Sequence, residues 1–227
     1  MAIVINGDGS ISGISAGGLP TGSVTADTLA TNSVDSDELV NGAIDAGHLA
    51  SGVGGAWTLI GTQTASASAS LTQTGLDSTY DTYAIVFSDM VPAGDGEYVR
   101  FRVGDSGGVD SAASDYCYHY TNMTTAGTTY TGGNDTANDC IILMGTCGNA
   151  TGEGWGGVAY INRPGDGSVW PIIHFYGGSL GPTANQMNTL GAFGARLASI
   201  TLDRVNISMS SSNITSGRMS VFGIAHT

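Results

Sequence analysis

The chain has 227 residues, 36 of them glycine, and no lysine; six arginines against 19 carboxylates leave a formal charge of −13. That length suits one ordinary domain with a tail, and the missing basic footprint argues against nucleic acid as a partner. No apolar run approaches the roughly 18 residues a membrane helix needs, so membrane insertion is not expected.

Met1-Ala-Ile-Val-Ile5 runs straight into the turn sequence Asn6-Gly-Asp-Gly-Ser10. Without a basic n-region this predicts no signal peptide, and a protein made in a cytoplasm. We read residues 1–20, which close on Gly17-Gly-Leu-Pro20, as an N-terminal attachment tip. Residues 21–55 read as a stem of decapeptide repeats. Thr21–Ala30, Thr31–Val40 and Asn41–Ala50 share one pattern of small or polar residues, Val or Ile, an N-cap type, a small residue and Leu. A decayed copy with Ile14 and Leu19 precedes them. A large apolar residue falls on every fifth position: Val24, Leu29, Val34, Leu39, Ile44, Leu49. Five is neither the helical nor the strand period. It suits a short extended piece followed by one helical turn, capped at Thr25, Asp35 and Asp45; Asp35 with Glu38 has capping-box spacing. Two thin apolar lines cannot build a core in one chain. Wound three together, such chains would bury these positions against their copies, so a homotrimeric stem is expected; a flexible acidic linker is the alternative.

After the small-residue hinge Ser51–Ala56, residues 56–227 concentrate aromatic and β-branched side chains. Trp57–Thr62 reads as a first strand and Tyr83–Phe87 as a strand buried on both faces. Tyr98–Val103 alternates, with Val99, Phe101 and Val103 inward. Tyr116–Tyr120 alternates with three tyrosines on one face. Cys140–Met144, Gly157–Ile161 and Val169–Tyr176 follow, and Pro171 suggests an edge strand or bulge there. Ile200 and Leu202 are out of phase with Val205, Ile207 and Met209, which predicts a bulge near Asp203–Arg204. Met219–Ile224 closes the chain. About nine short, evenly spaced strands predict a mainly β fold: a β-sandwich, jelly-roll-like, carried on the extended stem.

Catalytic signals are weak. Gly104-Asp-Ser-Gly-Gly108 spells a serine-protease nucleophile motif, but that mechanism needs a general-base histidine, and the only upstream one, His48, lies in a stem repeat. A hairpin turn after Val103 is the better reading. Asp105, Asp110 and Asp115, and the group Asn134, Asp135, Asn138 and Asp139, suit calcium by chemistry but not by spacing, and Asx residues favour turns for local reasons. His119 and His174 are isolated between aromatics. No phosphate or dinucleotide motif appears, so no cofactor and no enzymatic activity are expected. The odd count of Cys117, Cys140 and Cys147 reads as buried free thiols rather than a Cys140–Cys147 disulfide. The aromatics Tyr116, Tyr118, Tyr120, Trp155 and Trp170 are candidates for exposed groups, serving either as a platform for sugars or as filling between copies.

Asn6-Gly-Asp-Gly-Ser-Ile-Ser-Gly13, Ala16-Gly-Gly-Leu-Pro20 and the Ser-Val-x-x-x-x-Leu-Ala repeats resemble the N-terminal regions of tailed-bacteriophage virion proteins, mainly fibres. Leu76–Ser88, Phe101–Gly108, Gly157–Asn162, Ser212–Gly217 and Phe222–Ile224 are similar to a β-rich domain that recurs in phage tail and capsid proteins. The resemblance implies a homotrimer in the virion, docked on other virion proteins through its N-terminus, with a knob held outward to adhere to a host surface, glycan in kind. A capsid decoration or head-fibre protein is the alternative it also implies. A lectin-like binding module would explain the knob but not the repeats.

Overall fold

The computed structural model describes residues 56–125, 131–183 and 186–224, and Val4, Ile5, Gly7, Ile11, Ser12, Leu29, Leu39, Ile44 and His48 of the first 55. The chain divides into two compact units, Met1–Val53 and Gly54–Thr227. In the first, β1 (Val4–Ile5) pairs antiparallel with β2 (Ile11–Ser12) across the predicted glycine turn. Leu29, Leu39 and Ile44 are each exposed by more than two fifths, at 46%, 42% and 47%. Each of these apolar positions keeps nearly half of its surface open. Val24, Val34 and Leu49 lie outside the described residues.

Among the described residues of the second unit, the regular elements are all strands. β3 (Trp57–Thr64), β15 (Ile214–Ile224), β5 (Thr82–Pro92), β11 (Gly154–Asn162), β12 (Ile172–Leu180), β13 (Met187–Arg196), β8 (Tyr116–Thr124) and β9 (Thr131–Asn138) form one eight-stranded antiparallel sheet in that order. β10 (Ile141–Cys147), β6 (Glu97–Asp105), β14 (Arg204–Met209) and β4 (Ser70–Thr74) form a second, with the short β7 (Gly108–Val109) paired to β6. One continuous core joins them: Tyr83, Ile85 and Phe87 of β5, Phe175 of β12 and Met219 of β15 share it with Val99, Phe101, Val103, Ile141, Val205 and Ile207 of the smaller sheet. The mainly β sandwich expected from the strand spacing is the fold observed. Emptying one of these positions, as in Phe101→Ala, removes about 3–5 kcal/mol in a core of this kind.

Three local expectations meet different outcomes. Val99, Phe101 and Val103 do point inward, and Gly104–Gly108 is a hairpin turn in which Asp105 pairs with Gly108. The Asp105 carboxylate accepts the Gly107 N–H at 2.7 Å. The phase change at Asp203–Arg204 is not a bulge: β14 begins at Arg204 and keeps an unbroken register with β6 and β4. Leu202 instead packs from the preceding loop, its N–H bonded to the Pro164 carbonyl. Pro171 does not mark an edge either. It ends a loop just before β12, which lies between β11 and β13.

One bulge sits in β5. Its buried set Tyr83, Ile85, Phe87 gives way to Met90 and Pro92, a slip of one residue, and Asp89 takes up the extra residue at φ 52°. The registers of both neighbours, β11 and β15, shift along the same line. Gly217 of β15 crosses there at φ 119°, where a Cβ would stand 2.7 Å from the Asp89 carbonyl oxygen.

Candidate functional site

The aromatics singled out from the sequence are mostly core. β8 turns its even positions inward, so Tyr116 is wholly buried and Tyr118 and Tyr120 pack against the core rather than standing free. The Tyr116 hydroxyl lies 3.0 Å from the carbonyls of Val103 and Asp110 and accepts the Val103 N–H. Burial raises the pKa of all three phenols. The Tyr120 ring lies against Gly133, where a Cβ would stand 2.7 Å from it. Trp155 is 3% exposed and packs on Phe87 and Phe175, with centroids 5.1 and 6.4 Å away. Only Trp170, in the loop before β12, stands in solvent, at 52%. The three tyrosines do share a face, but it is the one the sandwich buries.

The Asx groups serve structure. Asp110 and Asp115 both hold Arg196, at 2.8 and 3.1 Å. Asp139 holds Arg102 at 2.5 Å, and Asp135 accepts from Asn138 and the Ala137 N–H within its own turn. Among the described residues no three His, Cys, Asp or Glu side chains converge as a metal site would require. Cys117, Cys140 and Cys147 are free thiols, the last two buried.

The surface that stands out is the outer face of the eight-stranded sheet. Paired residues in an antiparallel sheet lie on one face. Register alone therefore lines up Leu59, Phe222, Ala84, Tyr160, His174, Phe193, His119 and Asn134 in a single row across all eight strands. The rings touch along it. Phe193 stacks on His119 at 5.9 Å and meets His174 and Tyr176 edge-on at 5.2 and 6.0 Å. Trp57 meets Phe222 at 5.6 Å and Tyr160 at 6.4 Å. Tyr176 is 53% exposed and Phe193 38%. A recess of about 220 Å³ opens beside the row between Thr82, Tyr160, Asn162, His174 and Tyr176. It offers aromatic walls with an amide and an imidazole at hand. The histidines that looked isolated in sequence thus flank one phenylalanine. A signal for this face was present, in the parity of Tyr160 and of His174-Phe-Tyr176, but it needed the pairing partners to be read.

The opposite outer face, on the smaller sheet, is mainly polar and largely paired, with Arg100 Nε a buried atom left without a partner. Arg102 donates to the Asp139 carbonyl at 2.8 Å and to Ser208 at 3.3 Å, and Asn206 donates to Thr72 at 2.9 Å. The fold and its surface together define a two-sheet sandwich with one polar and one aromatic outer face. No protein-family model matches the chain, and comparison with curated proteins and with solved structures returned no match.

Proposed function

We propose that the chain is a structural component of a tailed-bacteriophage virion, a homotrimeric fibre held to other virion proteins by its N-terminus. Its sandwich adheres to glycan on the host surface. The observation that carries this reading is the exposed aromatic row. Stacked rings flanked by histidine, asparagine and threonine suit the apolar faces and hydroxyl edges of a sugar. The five-residue apolar period of the stem supports the oligomer. Binding of the full-length protein to a panel of bacterial surface polysaccharides tests the reading. Tyr176→Ser with Phe193→Ser should weaken adhesion by about tenfold or more, roughly 1.4 kcal/mol, with unchanged circular dichroism. Undiminished adhesion of that variant, or none by the parent, sinks it.

Leu59 and Ile172, 56% and 48% exposed, favour a second reading, because branched aliphatic side chains give a sugar no ring to stack on. In that reading protein covers the face, as suits a capsid decoration or head-fibre role.

A further inference from the structure

β3 is an end strand of the eight-stranded sheet, paired on one side only, with β15. An open strand edge is a template for another chain, and proteins blunt it with charges, proline, bulges or a covering element. The two halves of β3 are treated differently. From Gly61 onward the edge is blunted. The register steps from Val221↔Gly61 to Phe222↔Leu59, which leaves Ile60 as a bulge. The Gln73 side chain of β4 lies on Gly61, where a Cβ would meet its Oε1 at 2.5 Å, and Gln63 Nε2 donates to that oxygen at 3.1 Å. The segment 57–59 carries none of these devices among the described residues. It has no charge and no proline, and Trp57 is 44% exposed and Leu59 56%. The sheet's other end strand, β9, carries Asp135. Pairing sets Leu59 beside Phe222 and Trp57 beside Ile224, and the Trp57 ring meets that of Phe222 at 5.6 Å. One corner of the sandwich is therefore apolar, uncharged and open.

We propose that this corner, formed by Trp57, Leu59 and Phe222, is a contact between copies of the chain. Its size selects a copy over a foreign partner. A handful of side chains covers far less than the roughly 800 Å² per partner of a stable interface, so the corner holds only a partner that something else keeps beside it. The chain supplies that second hold. Trp57 follows Val53, the last residue of the first unit, by four residues, about 14 Å of fully extended chain. In that unit Leu29, Leu39 and Ile44 stand nearly half open. Copies joined through those positions present Trp57 to one another on short tethers, at an effective concentration on the order of millimolar, where a small patch suffices. Charge points the same way. With 19 carboxylates and no lysine, most approaches of one copy to another are repulsive. Residues 57–59 and their partners 222–224 are all uncharged, so copies meet here without bringing carboxylates together. The proposal rests on the homotrimer of the proposed function and gives Leu59 a place within it. Tyr176 and Phe193 stay free for the glycan: Phe193 lies five strand spacings from Leu59, roughly 24 Å.

The test uses the full-length protein. Sedimentation velocity follows its dissociation on dilution from roughly 100 μM to 0.1 μM, and in rising urea where dilution leaves the copies together. Leu59→Asp puts a carboxylate at an exposed position of the corner and should weaken association about tenfold or more, with unchanged circular dichroism. Leu59→Ser adds no charge and should give a smaller loss in the same direction, while Leu59→Met should stay within about twofold of the parent. Phe193→Ser should leave association as it is. An associating parent that neither Leu59→Asp nor Leu59→Ser weakens overturns the contact and leaves the first unit as the seat of association. Equal weakening by Leu59→Asp and Phe193→Ser overturns it too, because the whole outer face would then lie between copies. A Leu59→Asp protein that associates normally but loses its polysaccharide gives the corner to the glycan and ends the proposal. The two readings fail separately. A parent that is monomeric throughout removes the homotrimer and this contact with it, whereas adhesion is read independently on polysaccharide.

Discussion

The two outer faces of the sandwich are built on opposite plans. On the smaller sheet, Arg102, Asp139, Ser208, Asn206 and Thr72 satisfy one another across the strands. On the larger, rings touch across the strands, and Leu59, Tyr176 and Phe193 remain exposed on that face. The difference shows where stability and recognition are each kept. A polar face that closes most of its own hydrogen bonds gains little from being covered. An apolar face left open on a folded sheet gains free energy only when something covers it. The comparison breaks most sharply by exchanging one residue on each side. Arg102→Ala removes three hydrogen bonds from a side chain 12% exposed and leaves Asp139 without its partner, so it should cost about 2–3 kcal/mol. The lower end is expected, because Asp139 is 37% exposed and water takes over part of the role. Tyr176→Ser gives up one edge contact and should stay within about 1 kcal/mol. Urea denaturation of both variants measures the pair, and equal losses would erase the distinction between the faces.

A smaller effect of the same kind belongs to Glu97, at the start of β6. Burial pushes its carboxyl upward, but hydrogen bonds from Ser210, Ser211 and Ser212 hold the charged form and win, leaving the pKa below the ordinary glutamate value. A pKa depressed in the folded state stabilises above the unfolded value, about 4.3, and that stabilisation is lost as the pH falls through the folded one. Glu97→Gln should therefore lower stability at neutral pH and flatten its fall on acidification. Denaturation midpoints taken from about pH 7 down to pH 3 check this. A variant whose acid limb stays as steep as the parent's would exclude Glu97 as a contributor.

Much of the sandwich was legible because alternation is a local property. Val99, Phe101 and Val103 announce their face in six residues, and Gly104–Gly108 announces its turn. What stayed hidden depends on partners far along the chain. β13, Met187–Arg196, carries glycine where strand formers are expected, yet it lies inside the eight-stranded sheet. β9, rich in Gly, Asn and Asp, owes its place to the Tyr120 ring, which leaves no room for a Cβ at Gly133. Alternation in Tyr116–Tyr120 gives two faces but not which one is buried; that is decided by β10 packing beneath, and it reverses the expected roles of the three tyrosines. His119, Phe193 and His174 become neighbours only through the pairings of β8, β13 and β12. The unpartnered buried atoms Trp155 Nε1 and Asn188 Oδ1 have no sequence signature at all, since they are defined by bonds that are missing.

The cysteines report on the two sides of the larger sheet with the least perturbation. Cys140 and Cys147 lie inside, and burial, reinforced by the charges of Asp139 and Glu97, pushes both thiols up to about 12. Only the thiolate reacts readily, so both should resist a disulfide reagent until the chain unfolds. Cys117 is half-buried and sits two residues from His119 on the outer face of β8, paired with Ala195. In the assembled full-length protein it should react as a single fast thiol, with the other two appearing only in denaturant. The reactivity of Cys117 thereby measures the cover on the aromatic face. A fast thiol is what an open, adhesive face requires. A Cys117 as slow as Cys140 and Cys147 in the assembly, released when the oligomer is dissociated by dilution, would mean that copies of the chain already occupy that face. The stacked rings would then be an interface between copies of the chain.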